Sequence, residues 1–116
     1  MHKLFAISLT VVVATFSIEA CAREVQIPRT MYDKGIYYLL DKKNKGSITA
    51  TLHKRVGVNE TGYSKTEINC KSMQYRDMGY SEAGPDKIAA SAGKWTDPVS
   101  GSSKSDLVNF ACSQNP

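Results

Sequence analysis

Histidine is nearly absent from this chain: His2 lies at the extreme N-terminus, and only His53 remains for everything after it. With one imidazole and no Cys or His cluster at ligand spacing, a metal centre would have to come from scattered Asp and Glu, so none is expected. The same shortage weighs against hydrolases. Serines are plentiful, but the one imidazole that could activate them sits beside Lys54 and Arg55, and no nucleophile-elbow pattern occurs. Glu60, Glu67, Asp77 and Glu82 read as turn and strand-surface charges rather than as a glycosidase pair. No catalytic residue and no cofactor is expected, and the chain does not read as an enzyme. Apolar runs are equally scarce, and after Leu4–Ile18 there is none of membrane-spanning length. Charge is mildly positive, +4 overall, and mostly scattered rather than blocked, which does not point to nucleic acid.

What is present begins with an export signal. Met1, His2 and Lys3 form a short positive start, and Leu4–Ile18 has the length of a signal-peptide core. Ala20 and Ala22 are small residues at the two positions a signal peptidase reads, so cleavage is expected before Arg23. The competing reading is a lipoprotein signal, Ile18-Glu19-Ala20-Cys21, in which Cys21 carries the lipid; the charged Glu19 weighs against it. Residues 1–22 are accordingly set aside as signal peptide, 23–35 as an extended lead-in and 36–116 as the domain. The expected location is the periplasm or the exterior, or the outer membrane if Cys21 is lipidated. Either route removes Cys21 from the three cysteines and leaves Cys70 and Cys112. In an oxidising compartment these are most simply a disulfide, the alternative being two separate buried thiols. Closing a loop of this size stabilises a fold by about 4 kcal/mol in the chain-entropy picture.

Along the domain, Ile36–Leu40 is a run of strand length, and Asp41–Gly46 holds the Asn44 and Gly46 of a tight turn. From Ser47 to Arg55 the pattern alternates. Ile48, Ala50 and Leu52 share one face, and Thr49, Thr51, His53 and Arg55 the other, which places His53 on the polar, solvated side of a half-buried strand. Ser64, Thr66, Ile68 and Cys70 alternate with Tyr63, Lys65, Glu67 and Asn69, and a further strand runs to Tyr80; these two strands are expected at the centre of the sheet. Gly84-Pro85-Asp86 marks a turn, after which Lys87–Ala92 reads as an edge strand or a short helix. Trp95, the only tryptophan, is expected to plug the core. Ser103 three before Asp106 resembles a capping pattern, and Leu107, Val108, Phe110 and Ala111 make the apolar stripe of a C-terminal helix. The fold class expected is α+β: an antiparallel sheet of about 4–6 strands under a C-terminal helix.

Tyr63-Ser64, the run Glu67 to Cys70, Tyr75-Arg76, Tyr80-Ser81, Trp95, a Pro-containing turn with Gly101-Ser102, and Leu107 to Cys112 occur in an ordered series. In that series the chain resembles the surface-adhesin protein E-like family, small exported proteins and lipoproteins of Gram-negative bacteria, over roughly Ile36 to Cys112. The resemblance implies an antiparallel sheet covered by a C-terminal helix, with the cysteine pair tying helix to sheet. It also implies adhesion, through binding of host proteins such as vitronectin, laminin and plasminogen.

For a binding protein the candidate contacts are Lys42, Lys43 and Lys45 in the expected hairpin turn, Arg55 nearby, and Tyr37 and Tyr38, which face opposite sides of their strand. A protein partner, from the host or the envelope, is expected. Nucleic acid is not, and membrane contact would come only through a lipid on Cys21. A homodimer is compatible with this reading. The alternatives are a periplasmic inhibitor or immunity-type protein, and a structural accessory of an envelope or secretion assembly.

Overall fold

The computed structural model describes residues 24–113; the expected signal peptide and Cys21 lie outside the described residues. Five antiparallel strands, β1 (Val25–Gln26), β2 (Ile36–Lys45), β3 (Ile48–Val56), β4 (Thr61–Asn69) and β5 (Gln74–Ser81), follow one another across a single sheet in chain order. One helix, α1 (Ser103–Ser113), covers one face. The α+β architecture is the one the sequence implies. The centre of the sheet is β3, however, and β5 lies at its far side, so the Tyr63–Tyr80 pair is not central.

The turns follow from their residues. Gly46 and Ser47 alone join β2 to β3, with Gly46 at φ 67, the first central position of a primed hairpin turn where glycine avoids Cβ strain. The turn is therefore tighter than Asp41–Gly46 suggests, and Lys42, Lys43 and Lys45 belong to β2 itself. Between β4 and β5, Asn69 Oδ1 accepts from the amides of Lys71 and Ser72, at 2.9 and 3.2 Å.

The face under α1 is the one carrying Thr49, Thr51 and His53, at 5%, 4% and 7% exposure, whereas Ile48, Ala50 and Leu52 on the opposite face are half-buried. This reverses the solvated placement expected of His53. An alternating strand defines two faces without saying which turns inward; the register decides it. Thr49 pairs with Ile68, and His53 with Leu39, so the apolar residues of β2 and β4 draw the Thr/His face of β3 beneath the helix. Thr51 Oγ1 satisfies itself on the Thr66 carbonyl at 2.9 Å, which removes most of the cost of burying a hydroxyl.

Leu107, Val108 and Ala111 of α1 meet Ile68, Leu39 and Ile27 in the core. A helix of 11 residues is marginal alone. Here it is tied at both ends. At its start Ser102 Oγ caps the Ser105 amide at 3.1 Å, one residue earlier than the Ser103 pattern places it. Near its end the Cys70–Cys112 disulfide, Cα to Cα 5.6 Å, joins it to the foot of β4. Asp106 turns instead to the lead-in, accepting from Arg29 Nε (2.6 Å), the Thr30 amide (3.1 Å) and the Thr30 hydroxyl (2.9 Å). Burial pushes the Asp106 carboxyl up, but Arg29 and Thr30 outweigh it and hold the group below its ordinary range. The lead-in thus closes the fold, with Ile27 at 2% exposure and β1 paired to β2.

Two further expectations change. Lys87–Ala92 forms neither a strand nor an α-helix. A single 3-10 turn, Pro85–Lys87, leads into irregular chain that meets β5 through scattered backbone bonds, Ser91 N to Met78 O, Gly93 N to Asp77 O and the Thr96–Tyr75 pair, rather than a ladder. Met78 is bulged out of the β4–β5 register, so a regular ladder cannot continue onto the next segment. Trp95 is half-buried and outside the core; Thr96 bridges to Tyr75 at the sheet's edge, and the indole lies on the face away from α1.

Candidate functional site: the open face of the sheet

The face of the sheet turned away from α1 is built by alternation and by one irregularity. A bulge at Leu40 shifts the phase of β2, so that Leu39 pairs with His53 but Asp41 pairs with Leu52. Beyond it Lys42 and Asn44 turn toward the helix, and Asp41, Lys43 and Lys45 turn to the open face. Cross-strand rows follow from the register. One row runs Arg76, Glu67, Ala50 and Lys43; the next runs Lys65, Leu52 and Asp41; a third runs Ser81, Tyr63, Lys54 and Tyr38.

Two of the cations are held in place. Arg76 donates from Nε and Nη2 to Glu67 Oε1 at 3.0 and 2.8 Å, and its guanidinium lies 4.7 Å from the centre of the Trp95 ring. That stacking accounts for the tryptophan at this edge. Lys54 sits 5.2 Å over the Tyr38 ring and pairs with Glu24 at 2.6 Å. Among the described residues no carboxylate lies within ion-pair distance of Lys43, Lys45 or Lys65. Between Lys43 and Lys65 lies a shallow trough of about 370 Å³, floored by Ala50, Leu52, Met78 and Pro85, with Asp41 and Glu67 at its margins.

Of the six candidate contacts, the structure brings Tyr38, Lys43 and Lys45 to this face. Tyr37, Lys42 and Arg55 lie on the other. Lys42 Nζ donates to the Ala111 carbonyl at 3.0 Å, across the end of α1 where a cation is favoured. Burial lowers its pKa. Tyr37 donates to Asp33 at 2.9 Å and accepts from Arg55 Nε at 3.0 Å, with Arg29 4.5 Å from its ring centre. The Arg55 guanidinium lies where a Cβ on Gly35 would stand, 2.5 Å from Nε, so a larger residue there would push the guanidinium aside. Lys65, Leu52, Met78 and Trp95 were absent from the sequence-derived set. The β4 alternation carried a signal for Lys65, on the face opposite Thr66 and Ile68.

His53 lies beneath the helix with its pKa pushed down to about 4, by burial first and then by Lys104, against the opposing effect of Asp77. No group of three or more His, Cys, Asp or Glu side chains gathers as a metal site among the described residues. Among them, too, no helix is long and apolar enough to cross a membrane. The disulfide is compatible with export to an oxidising compartment. No family model, curated protein or solved structure matches the chain.

Proposed function

We propose that this protein is an exported binding domain that works without catalysis and presents the open face of its sheet to a protein partner. The observation that carries this reading is the division of labour between the two faces. One is consumed by α1, the lead-in and the disulfide; the other keeps Lys43, Lys45 and Lys65 without carboxylate partners among the described residues, with an apolar trough between Lys43 and Lys65 and with Tyr38 and Trp95 elsewhere on the same face. Aromatic rings and cations around an apolar centre are the composition of a protein contact surface. The adhesin E-like resemblance supports the same reading and suggests host matrix or serum proteins as partners.

Protease shaving of intact cells, combined with labelled-palmitate incorporation and retention on immobilised vitronectin, laminin or plasminogen, tests it. The reading expects surface-accessible protein retained on at least one of these ligands. Unlipidated protein that is shielded from protease and passes all three would overturn adhesion.

A further inference from the structure

We infer that the trough between Lys43 and Lys65 is a docking site for an extended acidic segment of the partner, with one aliphatic side chain seated on Leu52 and Ala50. The inference rests on the binding reading above and names the chemistry of its partner. Lys43 on β2 and Lys65 on β4 stand on either side of β3, so their strands lie roughly 10 Å apart across the floor. That width suits one aliphatic side chain with a carboxylate on each side. In an extended peptide the side chains of i−2, i and i+2 point the same way, and the outer two are about 13 Å apart. The segment that fits therefore reads acid-x-aliphatic-x-acid.

Charge decides among the occupants. Glu67 is paired with Arg76, so Lys43, Lys65 and the neighbouring Lys45 outnumber Asp41 on this part of the face, and a second copy docked through it would bring net positive charge against net positive charge. A phosphodiester chain would satisfy the lysines, but it would leave the Leu52 and Ala50 floor uncovered. An acidic segment with an apolar centre satisfies lysines and floor together. The trough is shallow, so it can seat a side chain of a larger partner better than it can enclose a small molecule.

The test is a displayed random-peptide library selected against the full, disulfide-bonded protein, followed by affinity measurement of the enriched peptides at physiological salt. Enrichment of Leu, Ile or Met with Asp or Glu two residues to either side is expected. Lys43→Glu/Lys65→Glu should weaken those peptides about tenfold or more, as loss of two facing charge pairs would. Lys34→Glu/Lys71→Glu, the same charge change at exposed sites elsewhere, should change affinity less than about twofold. On the unaltered protein, bound peptide should protect Lys43 and Lys65 from acetylation and leave Lys34 and Lys71 reactive, a readout independent of any variant's folding. No enrichment, enrichment of basic or purely aromatic peptides, or equal weakening by both double variants would overturn the proposal. The two readings fail separately. Retention of a matrix protein unchanged by Lys43→Glu/Lys65→Glu removes the trough and leaves the binding function standing. Acidic-aliphatic peptides blocked by that variant, with no matrix protein retained, leave the trough and remove adhesion.

Discussion

The two faces of this sheet come from the same strands and the same alternation, yet their compositions run against expectation. The covered face takes Thr49, Thr51, Thr66 and His53 from the sheet and relies on Ile27, Leu39, Ile68 and α1 for its apolar content. The open face keeps Ile48, Ala50 and Leu52 half-exposed beneath a set of lysines. So small an apolar core leans on specific ties, a disulfide, a buried ion pair and the Thr51 hydroxyl bonded to the Thr66 carbonyl, to hold the covered face together. The open face has few structural duties by comparison, and its apolar residues are left available for contact. If that division is right, changes on the covered side are expensive and changes on the open side are cheap.

The largest effect belongs to the disulfide. Cys70→Ser with Cys112→Ser should lower unfolding free energy by about 4 kcal/mol, seen as a shift in urea midpoint, with α1 the first element to lose amide protection. The next comes from pH. In the folded protein His53 titrates near 4, whereas in the unfolded chain it protonates near 6.5, so on acidification the unfolded state takes up the proton first. Stability present above about pH 6.5 should fall as pH drops toward 4, by about 3 kcal/mol. Urea titrations across that window check it. His53→Gln should flatten the slope there and leave the further loss at lower pH, where Asp106, held below its ordinary range, is finally protonated away from Arg29.

Removing Asp106 tests the tie between lead-in and helix. Asp106→Ala leaves the Arg29 guanidinium, 13% exposed, without its main partner and should cost about 2–3 kcal/mol by thermal or urea unfolding. Lys104→Ala removes the pair with Asp77, whose side chain is 62% exposed, and the ammonium 4.9 Å from the Tyr75 ring centre, and should cost less, about 1 kcal/mol. Equal losses from the two would mean that the lead-in is not part of the cooperative unit.

Much of this architecture was legible because it rests on local pattern. The period of two across β3 and β4, the apolar stripe at Leu107 to Ala111 and the even cysteine pair each follow from spacing alone. What escaped the sequence depends on register. The inward face of β3 is set by its pairing with Leu39 and Ile68, which no window on β3 contains. The bulge at Leu40 divides the lysines, sending Lys42 to the helix end and Lys43 and Lys45 to the open face, and a one-residue phase shift leaves no compositional trace. Trp95 read as a core plug because a large apolar ring is usually buried, but the nearby guanidinium of Arg76 gave it a place at the edge. The candidate site was therefore half visible: its charges could be found in the chain, while its floor required the fold.

The smallest expected effect is the sharpest comparison, because Thr51 and Leu52 are neighbours in one strand. Leu52→Lys places a fourth unpaired cation on the open face, where its stem can lie along Ala50 and its ammonium can reach water. Stability should change by less than about 1 kcal/mol. Thr51→Lys, one residue away, would drive an ammonium beneath α1 beside the His53 and Lys104 side of the covered face, where desolvation has no compensating partner. It should leave little folded protein. Comparable tolerance at both positions would show that the covered face is loosely packed and the two sides are not functionally distinct. Comparable intolerance would show that the apolar floor of the trough is structural, and would remove the physical basis for seating a partner's side chain there. Only tolerance at Leu52 together with failure at Thr51 is consistent with a sheet that folds with one face and binds with the other.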